Sequence, residues 1–392
     1  MGHSDGPLPV QTGLSRVVAD PALIAPVPTG LVTNYTAVTS DLLRAPDALG
    51  DAGVRLDVMF APEHGYWGAI QAGEDVGDES DDRTGLPIID TYKVEGAALD
   101  DLVRASGVHQ LLVDLQDTGT RFYTYTWTLY DLLCTAARTG VRLVVLDRPN
   151  PLGGQVRTGP GLDPAYSSFI GRVSIPLQHG LTLGELGRWF NQVHVPHITG
   201  GAADFDVVQV QHWDRSRVAA AQLPWVMPSP NMPTPTTALL YPATGLLEGT
   251  VLSEGRGTTR PFELLGAGWV TSELAGALNT LNLPGVAFRE AVFTPTFSKC
   301  AGEVVRGVQV HLLDPDAFDP IRTGIEVLRT IAGMHPEEQI WREAAPGRPP
   351  FIDLLWGSAA LREGIDAGAN TEAILAASPP APEPPTDTLL YP

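Results

Sequence analysis

The apolar and polar positions divide the chain into two textures. Residues 111–113 and 141–146 are short, continuous, β-branched-rich apolar runs joined by a segment of helical length. Such a pair predicts a βαβ unit, because parallel strands buried on both faces are apolar throughout. Residues 30–34 and 54–61 predict two earlier strands. Between them, residues 38–49 have helical spacing, with Leu42, Leu43 and Leu49 as core positions. Residues 95–106 predict a further helix, and 121–139 place Tyr125, Leu129, Leu132 and Leu133 on one helical face. Thr182 and Glu185 match a capping box at the start of another helix, and 205–213 read as a strand. From about residue 263 the texture changes to helices at 271–278, 318–334 and 353–367 and a strand at 304–312. Ile321, Ile325, Leu328 and Ile331 share one face of the longest of these. The prediction is an α/β fold: a mainly parallel sheet flanked by helices over residues 14–262, and a smaller α+β domain over 263–392. Residues 66–90 read as a long acidic loop and 379–388 as an extended Pro-rich segment.

Composition narrows the function. A net charge of −20 over 392 residues argues against nucleic acid or an anionic membrane as the main partner. Gly 41 and Pro 35 predict many loops. Cys134 falls in a helical apolar pattern and reads as a buried thiol; with Cys300 far away, neither a disulfide nor a cysteine metal site is expected. No apolar run reaches transmembrane length and no leader-like start is present, so a cytoplasmic location is expected.

The predicted strands end in polar clusters, where open α/β sheets bind ligands. Glu63, Asp114, Asp117, Asp147, Glu248 and Glu254 are the candidate acids, accompanied by Arg121, Arg148 and Arg256 and by His64 and His179. No G-x-G-x-x-G, P-loop or G-x-S-x-G is present, which disfavours a dinucleotide, a nucleoside triphosphate and a serine nucleophile. Asp75, Asp78, Glu79, Asp81 and Asp82 lack the spacing of a calcium loop and read as a solvated acidic segment. Paired carboxylates are the tools of glycoside hydrolysis. A metal-dependent hydrolase using His64, Asp117 and His179 competes with that reading, without a supporting spacing motif. Asp114 and Asp147 have an alternative role, tying loops at the strand ends.

Six blocks carry a resemblance: 60–65 (FAPEHG), 114–125 (DLQDTGTRFYTY), 145–151 (VLDRPNP), 178–185 (QHGLTLGE), 228–234 (PSPNMPT) and 248–258 (EGTVLSEGRGT). In content, order and spacing they resemble the exo-β-N-acetylmuramidase family typified by NamZ. The resemblance runs from about residue 28 to near the C-terminus. There Ala-Ser-Pro-Pro-Ala-Pro replaces much of the family's tryptophan- and phenylalanine-bearing helix, although Leu389-Leu390-Tyr391 remains, so different C-terminal packing is expected.

The resemblance implies a Rossmann-like catalytic domain, a smaller C-terminal domain and a cleft between them. It also implies release of N-acetylmuramic acid from the non-reducing end of peptidoglycan fragments in cell-wall turnover, with no cofactor and no metal. Glu63 is then the expected catalytic acid, with Glu254 and Asp117 next in line for a second carboxylate; the substrate's 2-acetamido group is an alternative internal nucleophile. N-acetylmuramic acid carries a lactyl carboxylate, best held by a guanidinium fork, for which Arg121, Arg148 and Arg256 are the candidates. His64 and His179 are expected to bind sugar hydroxyls or tune Glu63, and Tyr123, Tyr125, Asn150, Ser229, Asn231 and Glu248 to line the pocket. A non-catalytic muropeptide-binding protein on the same fold is the alternative of a different class.

Overall fold

The computed structural model describes residues 8–71, 73–74, 77 and 79–392. Seven strands form the larger sheet: β1 (Thr29–Thr33), β2 (Leu56–Ala61), β3 (Glu79–Ser80), β4 (Pro87–Asp90), β5 (Gln110–Asp114), β6 (Arg142–Leu146) and β7 (Phe205–Val208). Their order is β3-β4-β2-β1-β5-β6-β7, parallel except for β3 against β4. The chain builds outward from β1 through β2 to β4, then returns to lay β5 on the other side of β1. That reversal opens a crevice at the carboxyl ends of β1 and β5.

Every residue of β1 and β5 is buried, which is why both read as unbroken apolar runs. Successive residues still face opposite layers. Leu31, Leu112 and Val144 pack with Leu14, Val17, Ala45 and Leu49 on one side. Val32, Val113 and Val145 pack with Leu99, Val103, Leu129 and Leu133 on the other. The result is an α/β sandwich of helix, sheet and helix.

The smaller sheet is antiparallel, in the order β8 (Leu264–Ala267), β10 (Val305–Leu312), β9 (Val286–Phe293). Helix Pro320–Met334 covers it with Ile321, Ile325, Leu328 and Ile331, all buried as their spacing predicts. The capping box at Thr182 and Glu185 is also formed. Cys134 is a buried free thiol, and burial pushes its pKa up to about 11.

Several elements differ from expectation. The helix expected over residues 38–49 begins only at Ala45 and ends at Asp51. Thr39 Oγ1 accepts the Leu43 N–H at 3.0 Å and donates to Asp41, closing a turn that competes with helix. Leu42, at φ 68°, and Leu43 are therefore exposed and not core. Strand β4 lies inside the stretch that read as a loop, and β9 was not expected. Strand β7 stops at Val208. Residues 353–367 form parts of two helices, Phe351–Trp356 and Ala360–Asp366, broken at Gly357, which sits at φ 91°.

Within the acidic stretch, Asp75 and Asp78 lie outside the described residues. Asp81 is buried, not solvated, and takes Arg44 Nη1 and Nη2 at 2.9 and 3.1 Å. Burial opposes its charge, but Arg44 and Thr84 outweigh it and hold the carboxyl at about 2. The C-terminal segment docks on the larger sheet. Tyr391 is buried; its hydroxyl donates to Asp147 Oδ2 at 2.5 Å and accepts the Val210 N–H at 3.0 Å. Among the described residues no helix is long and apolar enough to cross a membrane.

Candidate active site

Strand β2 runs into a tight turn in which the Gly65 N–H returns to Pro62 O at 3.0 Å and His64 adopts φ 74°. A non-glycine residue in this left-handed region is a strained conformation that packing must hold. The turn points Glu63 inward, 8% exposed. Its Oε2 accepts from Thr124 Oγ1 at 2.7 Å, one residue before helix Tyr125–Thr139. Tyr125 hydroxyl donates to Pro228 O at 2.7 Å and accepts from Asn34 Nδ2 at 2.7 Å. One phenol thus links the end of β1, the catalytic-side helix and the Pro-rich connector. Tyr125 is fully buried and belongs to the frame of the site rather than to its surface.

His64 Nδ1 lies 2.8 Å from Ile70 O and must carry the proton, leaving Nε2 as an acceptor in the neutral ring. Burial lowers its pKa, against the pull of Glu63 and with the push of Arg256. Asp117 is held by the Gly119 N–H at 2.6 Å, Thr126 Oγ1 at 3.3 Å and His179 Nε2 at 3.1 Å. His179 Nδ1 accepts the Leu181 N–H at 3.2 Å, which fixes the proton on Nε2. Both ring nitrogens of His179 are therefore committed, and it is fully buried. The proposed metal triad of His64, Asp117 and His179 is not assembled, and among the described residues no group of three or more His, Cys, Asp or Glu could hold a metal.

The strand-end arginines differ sharply from one another. Arg148 forks onto both oxygens of Asp114 and also donates to Val38 O at 3.1 Å. Arg121 is completely buried and donates to four backbone carbonyls: Pro160 at 2.6 Å, Ile175 at 3.1 Å, Leu355 at 3.2 Å and Trp356 at 2.6 Å. Burial lowers its pKa to about 9. Neither guanidinium is open to a ligand, contrary to expectation; both staple the chain internally. Asn150 does the same, donating to Leu181 O at 3.0 Å and accepting the Leu152 N–H at 2.9 Å. Asp147 receives Thr182 Oγ1, the Gly184 N–H and Tyr391, and burial raises it to about 6.

The opposite wall comes from helix Pro235–Thr244, the turn Gly245–Gly249 and the loop after it. Tyr241 hydroxyl donates to Glu248 Oε1 at 3.3 Å. Arg256 reaches Glu248 Oε2 with Nη2 and Glu254 Oε1 with Nε, each at 3.2 Å. Its guanidinium lies over the Phe262 ring, 5.0 Å from the centroid. Gly255 and Gly257, at φ 80° and 78°, let the loop turn twice around Arg256; a Cβ at Gly257 would meet the Phe297 backbone at 2.7 Å. Burial raises the pKa of Glu248, with Arg256 opposing.

Glu248, Glu254 and Arg256 line a cleft of about 780 Å³ together with Gln71, Glu74, Thr250, Lys299 and Arg342. Asn231 borders it by donating to Gln71 Oε1 at 2.9 Å. An edge-to-face aromatic array joins the cleft to the Glu63 turn: Tyr123 lies 4.9 Å from Tyr125 and 6.2 Å from Tyr241, and Tyr241 4.7 Å from Phe262. Glu63, Glu248 and Arg256 all act electrostatically on Tyr241, and Ser229 is buried next to Tyr123. Of the candidate residues Glu248, Glu254 and Arg256 line this cleft. Glu63 lines a separate small pocket with Thr91, Asp131 and Arg172, yet it and Arg256 both act electrostatically on His64 and Tyr241, so the two sites adjoin. The structure leaves Arg121, Arg148, Asn150, Asp117 and His179 in the supporting layer. Thr124, Tyr241 and Lys299 were missed. Thr124 lies within a distinctive block, whereas Lys299 has no local signal.

A cleft lined by three acids and three bases, two of the bases arginines, suits a sugar bearing a carboxylate, and the comparisons bear on that directly. The model described as exo-beta-N-acetylmuramidase NamZ, N-terminal, matches residues 29–236, and its C-terminal counterpart matches residues 239–381. The peptidoglycan beta-N-acetylmuramidase NamZ of Bacillus subtilis (strain 168) is 42% identical over 370 residues, 93% of this chain and 86% of that protein. A DUF1343 family protein of Bacteroides fragilis NCTC 9343 aligns with a TM-score of 0.82 at 30% identity over 93% of each chain. A second from the same organism aligns at 0.72 and 26% identity over 94% of each.

Proposed function

The chain belongs to the exo-β-N-acetylmuramidase NamZ family, and from that premise we propose how its cleft performs the reaction. The protein is a glycosidase that releases N-acetylmuramic acid from the non-reducing end of peptidoglycan fragments. Glu63 protonates the departing glycosidic oxygen as the C1–O bond breaks; water then takes its place at C1 and its proton restores the Glu63 carboxyl. With Thr124 donating to Oε2, the acidic proton belongs on Oε1. Glu248 and Glu254 fix the guanidinium of Arg256 at the cleft wall. Tyr123, Ser229, Asn231 and neutral His64 orient the sugar. Residues 263–392 act as a second domain that completes the cleft.

The observation that carries the muramyl assignment is the state of the three arginines. Arg121 gives both Nη groups to backbone carbonyls, and Arg148 forks onto Asp114. Of the three, Arg256 alone lines the 780 Å³ cleft. We assign it to the lactyl carboxylate, the group that distinguishes this sugar from N-acetylglucosamine. The test is hydrolysis of para-nitrophenyl N-acetylmuramide beside the matching glucosaminide, with and without chelator. Cleavage of the muramide alone, indifferent to chelator, is expected. Binding of muramides without turnover would replace the enzyme reading with that of a sugar-binding protein.

A further inference from the structure

Arg256 is flanked by two carboxylates, Glu248 and Glu254, each 3.2 Å away. Two acids against one guanidinium leave an excess negative charge, a poor host for an anionic sugar. Lys299 alters that balance. Its Nζ lies 2.6 Å from Glu254 Oε2 and also donates to Leu247 O at 2.8 Å and Thr250 O at 3.0 Å. The four side chains then alternate in sign across the cleft: Lys299, Glu254, Arg256, Glu248.

Lys299 comes from the connection between β9 and β10, on the smaller sheet. Its neighbours Ser298 and Cys300 both sit in the left-handed region, at φ 67° and 57°. Two strained non-glycine residues around one lysine are a conformation that the surroundings must hold. The connection is tied to the Arg256 loop: Thr296 donates its N–H to Gly257 O at 2.9 Å. The smaller domain thereby delivers a cation to an acid that is itself only 2% exposed.

We propose that Lys299 is a specificity-determining positioning residue: by neutralising Glu254 it releases Arg256 to pair with the substrate's lactyl carboxylate. Without Lys299, Arg256 serves two buried acids and has little charge left for a ligand. With it, the cluster is balanced, and an incoming carboxylate meets the guanidinium at the cleft wall. This rests on the assignment of Arg256 made above.

The experiment compares para-nitrophenyl N-acetylmuramide with its lactyl methyl ester, the same sugar without the charge. Wild-type protein is expected to prefer the free acid in kcat/KM. Lys299→Gln keeps donors for the Leu247 and Thr250 carbonyls but removes the charge, and is expected to lower that preference by about tenfold. Lys299→Arg is expected to restore it. A Lys299→Gln variant whose preference is unchanged while activity on both substrates falls together overturns the proposal and makes Lys299 a structural tie. If Lys299→Gln does not fold, an unchanged preference in Lys299→Met overturns it in the same way. Wild-type protein active on both substrates without preference refutes the Arg256 assignment and the proposal with it. Wild-type protein inert on both refutes the glycosidase reading itself.

Discussion

Thr124 and Glu63 lie 61 residues apart in sequence and 2.7 Å apart in space, hydroxyl to carboxylate. The contact occupies Oε2 and bears on the proposed role of Glu63 as the acid, which leaves that task to Oε1. Glu63→Gln should fold normally and lower kcat by about 10²–10⁴-fold, the usual worth of a positioned general acid. Thr124→Val should lower kcat by about tenfold with little change in KM, and Thr124→Ser should recover most of it. Steady-state kinetics on the chromogenic muramide check both. A Thr124→Val variant at full kcat would detach Thr124 from the chemistry.

Arg121 and Arg256 should separate by assay. Arg121→Met strands four buried carbonyls and should lose about 3–5 kcal/mol of stability. Urea unfolding measures this. Arg256→Met leaves Glu254 to Lys299 alone, so it should cost some stability as well, but its distinguishing effect should be a KM for the free-acid muramide raised by about tenfold or more. If Arg121→Met proves stable but weak in binding, the placement of the two residues is reversed.

Asp131 offers a pH test. Burial raises its carboxyl from 3.8 to about 6, against Arg172, which pairs with it at 2.9 Å and also with Glu95. Arg138, Tyr130 and Cys134 act on it from its own helix. The folded state therefore holds this proton more tightly than the unfolded chain does. The resulting stabilisation is complete below about pH 4 and is lost as pH rises through 6. Its size is at most about 3 kcal/mol. Asp131→Asn should flatten the decline of unfolding free energy between pH 4 and 6, leaving the part due to Asp147. An unchanged slope would rule Asp131 out as its source.

Tyr391→Phe removes one hydroxyl that serves both Asp147 and Val210. The expected cost is about 1–3 kcal/mol, seen in thermal or urea unfolding, with kcat and KM of the folded protein unchanged. A selective loss of kcat would instead tie the C-terminus to the cleft.

What the sequence made legible follows from what is local. The runs at 111–113 and 141–146 are apolar because β5 and β6 are buried on both faces, and the Thr182 capping box is a four-residue relationship. The six sequence blocks located the strand-end turns for the same reason. The roles of the arginines were not legible. Arg121 and Arg256 look alike in sequence, each beside glycines and acids or threonines. Only the long-range fold decides that one meets carbonyls of residues 160, 175, 355 and 356 while the other meets Glu248 and Glu254. Lys299 was invisible because its partners lie about 45–52 residues earlier, in the turn and loop between helix Pro235–Thr244 and β8. Leu42 and Leu43 misled because a threonine turn beat their helical spacing.

The docking of Tyr391 and Leu390 on Asp147 and Glu185 bears on how the protein is made. The strands of the larger sheet leave the ribosome early, yet the groups that seal β6 and the helix after it arrive at residues 390 and 391. Translation of more than half the chain separates the two. Throughout that interval Asp147 and Glu185 wait without part of their hydrogen bonding, and the nascent chain must hold β6 and the helix after it unsealed.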